Sequence, residues 1–404
     1  MRGAELRAER RPGAAERHGQ HSGRWDGLLK LPAAGSLALL ATTLLWSCGS
    51  GGDTQDMVDT AGDRGQDPEA PCLLSLVPTG VVLEPDQQAR VPDPARGVGM
   101  DSTGRFLTQT HTPGTLARWG PDGAFQGSVG RFGEGPEEFG IVSTVLAGPA
   151  DTFHVFHESR WSMVTPSLEV IPVSRSPLVL PERAEGAAIL RDGRLLVPGW
   201  EPGGPVAVLL NRAGEVEAEI GTLAVGTVPL LVPPGIVHLQ GDTTFLVGPV
   251  AWTASGYVVE RWSLNGQFLE RWERPADWVR DVVGIGDPVP PVGRLSLHRR
   301  GIVHLSASAP NPSYRAAATG MQGSPRWPRF ELLGASDGRL LAGGWYGFPG
   351  ETSVEEMWGQ IPASGLTYRI VTTAGGLEGM EILRKELRPR PGRGPGECLP
   401  WGTH

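Results

Sequence analysis

The chain has 404 residues, with 36 Lys and Arg against 44 Asp and Glu, for a net charge of -8. That balance argues against nucleic-acid binding, which draws its affinity from a basic surface. Its 58 Gly and 37 Pro fall between apolar runs, the punctuation of many short strands, and no long segment keeps a helical period.

Residues 1–47 read as a signal peptide. Arg2, Arg7, Arg10, Arg11, Arg17, Arg24 and Lys30 make a basic start, diluted by Glu5, Glu9, Glu16 and Asp26. The uncharged run Leu31–Trp46 follows. At about 1.5 Å per residue it falls short of a hydrocarbon core of about 30 Å, which favours an export leader over a spanning helix. The run ends Leu45-Trp46-Ser47-Cys48, which resembles the lipobox of bacterial lipoproteins. That resemblance implies cleavage before Cys48, diacylation of its sulfur and attachment to a membrane of the bacterial cell envelope. Gly49 in the next position implies sorting to the outer membrane, facing the periplasm or the outside. The competing reading is a plain export signal or uncleaved anchor with an incidental cysteine. From Cys48 to Pro71 the chain is acidic and nearly devoid of apolar residues, so it reads as a flexible tether.

Residues 72–390 carry a repeat. An apolar residue after a Gly/Asp turn opens a short strand at Phe106, Phe153, Leu195, Phe245, Ile302 and Leu340. The spacing approximates the roughly 40–50 residues of a four-stranded blade. Strand-turn-strand patterns follow most anchors, with Asp122-Gly123 and Asn265-Gly266 as hairpin turns whose central residues favour positive φ. The fifth unit, around residues 311–325, is poor in strand formers. The fold expected is all-β, a six-bladed β-propeller behind the cleaved leader and tether. A β-sandwich pair is the rival, and a seventh blade drawing on residues 72–90 is an alternative. The run 73–85 is the expected closing strand, beside residues 366–383. Closure of that kind brings Cys72 to Cys398 in an oxidising compartment, so a disulfide is expected there. Residues 391–404 read as a Pro/Gly-rich tail.

Within the repeat, Gly130–Phe139 reads GRFGEGPEEF and is followed by HESRWSMVTPSLEV. Together they resemble the NHL-repeat six-bladed propeller lipoproteins, with Arg160 at the family's recurrent arginine. The resemblance implies a rigid binding platform, and in a minority of such propellers a hydrolase or lyase.

No nucleophile elbow, zincin, Walker A or dinucleotide motif occurs, and the three Cys lack zinc spacing, so no cofactor and no metal are expected. His154 and His157 point to opposite faces of a strand, and only His154 and Glu158 share one. Glu134, Glu137 and Glu138 form a carboxylate cluster, read as a solvated loop or as an acid/base or cation site. Five residues beyond the anchors, one rim is expected to gather His111, Glu158, Trp200 and Trp345, with Arg160 and Trp252 nearby. Such a rim suits a protein, peptide or carbohydrate ligand. The other reading makes these Trp wedges between blades. The function expected is binding or scaffolding at the envelope, more than catalysis. The alternative is a metal-dependent lactonase, hydrolase or lyase with its site at the channel.

Overall fold

The structure is a computed structural model. It describes residues 67–84, 92, 97–158, 160–174, 186–199, 201–223, 234–238, 243–253, 255–276, 278–279, 292–299, 301–310, 326–345 and 357–398. The leader, Cys48 and most of the tether lie outside these residues. Among the described residues, no helix is long and apolar enough to cross a membrane.

Six four-stranded antiparallel sheets form the fold. Blade one is built from Val98–Met100, Phe106–Gln109, Leu116–Trp119 and Phe125–Val129. Blade two is Val142–Ala147, Phe153–His157, Arg160–Val164 and Val170–Ser174. Blade three is Ala188–Ile189, Leu195–Pro198, Ala207–Leu210 and Val216–Ile220. Blade four is Gly235–His238, Thr244–Thr253, Gly256–Ser263 and Phe268–Pro275. Blade five is Val292–Arg299, Ile302–Pro310, Arg326–Gly334 and Leu340–Trp345. Blade six takes Met357–Ile361, Leu366–Thr372 and Glu378–Pro389, and completes itself with Cys72–Leu83 from the other end of the chain.

Alternation along each strand sends one set of side chains to the blade before and the other to the blade after. The buried apolar residues consequently fall into six clusters, one at each junction. Leu107 meets Val145 and Phe153 between blades one and two, while Phe106 meets Met380 and Ile382 between six and one. Phe156 with Leu195, Leu196 with Phe245, Leu246 with Leu305, and Leu332 with Leu387 mark the other four. Six junctions for six blades make a closed ring. Two stacked sheets would share a single core, so the sandwich rival fails, and residues 72–83 serve blade six rather than a seventh blade.

Closure meets the sequence expectation in part: Pro78, Val82 and Leu83 pair with Leu383, Glu381 and Met380 inside the expected 366–383, and the rest of the ladder runs beyond it. Cys72–Leu83 pairs with Glu378–Pro389, from Cys72 opposite Pro389 to Leu83 opposite Met380. Cys398, in the short helix Pro395–Cys398, folds back so that its Cα lies 5.2 Å from that of Cys72, within the span of a disulfide. Part of the expected tail is therefore packed, with Cys398 fully buried. The last tether residues are also packed, since Ala70 is 1% exposed.

Two readings of the repeat need correction. Five anchors stand at the first or second residue of the second strand of their blades, but Leu340 opens the fourth strand of blade five, and Leu366 holds the equivalent place in blade six. Both strands follow a Gly turn and begin Leu, which hides the difference. The hairpin turns also differ, because only Gly123 and Gly266 take positive φ, at 83° and 89°. Asp122 and Asn265 do not. The ladders slip by a residue at Arg118/Trp119 and Arg261/Trp262, the mark of a bulge beside a Gly.

Candidate functional site

Antiparallel order puts two kinds of connection on one face of the ring. These are the turns between second and third strands and the crossovers into the next blade. On this face the crossover from blade one to blade two is fully described and carries the GRFGEGPEEF sequence.

It folds into a compact loop. Arg131–Phe132 and Glu138–Phe139 pair in parallel, with Arg131 opposite Glu138. The Glu138 carboxylate accepts the Gly135 N–H at 2.7 Å and Arg131 Nε at 2.7 Å. These bonds, the backbone one foremost, hold its pKa below the usual range. Gly133, at φ 156°, lies against that carboxylate where a Cβ would collide. Phe139 is fully buried and meets the His157 ring edge-on at 5.0 Å. Arg160 closes the loop from blade two. Its Nη1 donates to the Glu134 carbonyl at 2.7 Å, and its Nη2 lies 3.8 Å from the Glu134 carboxylate. The Glu158 N–H donates to the Ile141 carbonyl at 3.1 Å.

Held this way, the loop presents Phe132 at 62% exposure and Ile141 at 54%. The same loop and the turn that follows blade two's second strand also expose Glu134, Glu137 and Glu158, with Arg131, paired to Glu138, next to Phe132. The turn carrying exposed His111 packs beside it, with Gly114 directly against the Phe132 backbone. Apolar groups accompanied by carboxylates on a fixed loop can receive an apolar side chain flanked by cations.

The structure thus brings together His111, Glu158 and Arg160 of the expected rim, and leaves Trp252 out. Trp252 is 5% exposed, stacked edge-on against Tyr257 and Trp278 at 5.7 and 5.9 Å. It is a wedge between blades four and five because Gly293 of blade five leaves room for its ring. Trp200 and the side chain of Trp345 lie outside the described residues. Phe132 and Ile141 escaped the sequence reading, although an aromatic between glycines in a polar loop has nothing local to bury it.

The two histidines are structural groups. His157 Nδ1 accepts the Gly140 N–H at 3.4 Å, so its Nε2 carries the hydrogen toward Ser162 Oγ at 3.1 Å. A general base would need the opposite polarity. His154, on the other face as expected, accepts Trp161 Nε1–H at 2.9 Å. Among the described residues no three His, Cys, Asp or Glu converge as metal ligands. Burial lowers the pKa of His154 to about 4, and burial with nearby Arg160 does the same for His157. Such a group binds its proton more tightly once unfolded. Its contribution is complete above about pH 6.5 and is lost toward pH 4, by up to about 3 kcal/mol each. Urea midpoints at pH 7 and 4.5 should show this fall, and His154→Gln should flatten it. An unchanged slope would exclude His154 as a cause.

No family model matches the chain, and no curated protein matches it in sequence. Among solved structures, a protein named as exported from Bacteroides fragilis is similar at 10% identity and a TM-score of 0.46, over 78% of this chain and 95% of that one. A member of the DUF4221 family from Bacteroides vulgatus is similar at 9% identity and 0.48, over 81% and 99%. Virginiamycin B lyase from Staphylococcus aureus is similar at 10% identity and 0.40, over 77% and 99%. These likenesses are slight, and the propeller assignment rests on the sheets and their six junctions.

Proposed function

We propose that this propeller is an exported, lipid-anchored binding platform of the bacterial cell envelope, and that its partner docks on the loop Gly130–Ile141. The partner is a protein or peptide segment presenting an apolar side chain between basic ones. The observation that carries this reading is Phe132, largely exposed in the short strand Arg131–Phe132 of a loop fixed by Glu138, Phe139 and Arg160. An exposed aromatic on a preorganised support contributes affinity at little ordering cost.

Changing Phe132 and Ile141 to Ser should leave the melting temperature nearly unchanged, since exposed positions contribute within about 0.5 kcal/mol. In detergent-solubilised envelopes the variant should migrate as free protein, whereas the wild type migrates in a larger complex. Equal migration of the two would refute the docking site.

The anchor is tested separately. Cys48→Ala should abolish partitioning into detergent or leave an uncleaved precursor, because several acyl chains on one Cys anchor stably. A normally processed Ala variant that still partitions would refute lipidation.

A further inference from the structure

Between the outer parts of blades four and five lies a cleft of about 480 Å³, lined by Arg274, Arg339 and Arg393 from three separate elements, with Glu273 beside Arg274 and Glu397 paired to Arg393 at 3.3 Å. Glu69 and Pro71 of the incoming chain form another wall. Beneath it sits Glu331, fully buried, accepting Tyr257 Oη–H at 2.6 Å and Trp278 Nε1–H at 2.8 Å. Arg274 and Arg329 each approach that carboxylate to 3.5 Å. Arg329 also lies over the Trp278 ring, 5.1 Å from its centroid. Glu331 and Trp278 thus fix the guanidinium from two directions. A third is taken by Asp67, whose two carboxylate oxygens lie 2.7 and 2.6 Å from Arg329 Nη2.

Asp67 comes from outside the ring. Its N–H donates to the Gly343 carbonyl on the edge of blade five at 2.7 Å. Arg390 then grips the chain, donating to the Asp67 carbonyl at 2.6 Å and the Ala70 carbonyl at 3.0 Å. Two residues after Asp67, the exposed Glu69 lines the cleft. The segment Asp67-Pro68-Glu69 therefore delivers one carboxylate to Arg329 and a second to the cleft.

We propose that the Arg329 seat together with this cleft is a binding site for acidic peptide segments, recognised as two carboxylates on alternate residues of an extended chain, and that residues 67–71 occupy the seat and one wall of the cleft in cis as a strap. The receiving half is complete without the strap, because blades four and five and the link after blade four supply Glu331, Tyr257, Trp278, buried Arg329 and half-buried Arg274, and the segment after blade six supplies Arg390 and Arg393. The strap supplies the most exposed member, the Asp67 side chain at 24%, against 4% for Arg329 and 1% for Glu331. Planar guanidinium groups suit carboxylates, and a fixed one loses little freedom on binding. A tethered occupant acts at a high effective concentration, so a peptide in trans meets strong competition.

The test uses the chain from Cys48 onward and a fluorescently labelled peptide Asp-Pro-Glu-Ala-Pro, read by anisotropy beside its Asn-Pro-Gln-Ala-Pro counterpart. Asp67→Asn with Glu69→Gln keeps the backbone bonds to Gly343 and Arg390 while removing both charges. This variant should bind the acidic peptide about tenfold or more tighter than wild type. It should bind the amide peptide poorly, and lose affinity when salt is raised. Arg339→Gln in the same background, an exposed change, should weaken binding without moving the melt. Equal affinity of wild type and variant, or equal binding of the two peptides, would overturn the proposal. Should the double variant fail to fold, Glu69→Gln alone, which keeps the Asp67–Arg329 pair, must still show a gain; no gain overturns the proposal as well.

Discussion

Oxidised protein should resist unfolding by about 4–5 kcal/mol more than Cys72→Ser or the reduced chain, the largest effect expected of any bond here. The two sulfurs lie in contact across 326 residues of sequence, and both cysteines are fully buried. Tying Cys72 to Cys398 fixes the strand Cys72–Leu83 against blade six at its first residue, so the bond acts where the ring closes. In the chain-entropy view it restricts the unfolded ensemble, since so long a loop loses much freedom when its ends are joined. Urea unfolding with and without reductant measures the difference. Two free thiols in the unfolded, unreduced protein would rule the bond out.

Trp252→Ala should lose about 3–5 kcal/mol, the usual cost of truncating a buried large side chain. The indole fills the junction of blades four and five against Trp278, Tyr257 and Gly293. Trp252→Phe should recover part of the loss, because a smaller ring still reaches Tyr257. Thermal and urea melts of both variants check this. A loss below about 1 kcal/mol would mean that the side chain sits at the surface.

What the sequence conveyed was the repeat, because strand alternation and Gly turns are local signals. Phe106, Phe153, Leu195, Phe245 and Ile302 all stand at the first or second residue of second strands. Leu340 misled because a fourth strand after a Gly turn looks locally like a second strand. The closing strand was legible as an unattached apolar run, and its partner in part, since residues 378–383 of the expected range belong to the strand it pairs with. Pairing Leu74 with Leu387 rather than with a residue of 366–372 depends on where blade six already stands. Burial of Trp252 was hidden for a similar reason, since Trp278 and Gly293 come from other segments. Of the residues in the candidate site, His111, Glu158 and Arg160 were singled out in the sequence, although Glu158 lies in the turn after its strand. Phe132 was missed, because exposure is a property of the assembled ring. The Glu331 network was invisible, as its partners Tyr257, Trp278, Arg274 and Arg329 come from two blades and the link after blade four.

The measurement closest to the central claim is site-specific photo-crosslinking in cells that make the protein. A photoreactive amino acid replaces Phe132 in one strain and Val216, exposed on the outer strand of blade three, in another. If the Gly130–Ile141 loop is the docking face, position 132 should yield a discrete adduct and position 216 none. Changing Glu134 and Glu137 to Gln should diminish the adduct at 132, because these carboxylates steer a basic partner. No adduct at 132, or the same adducts from both positions, would contradict the account.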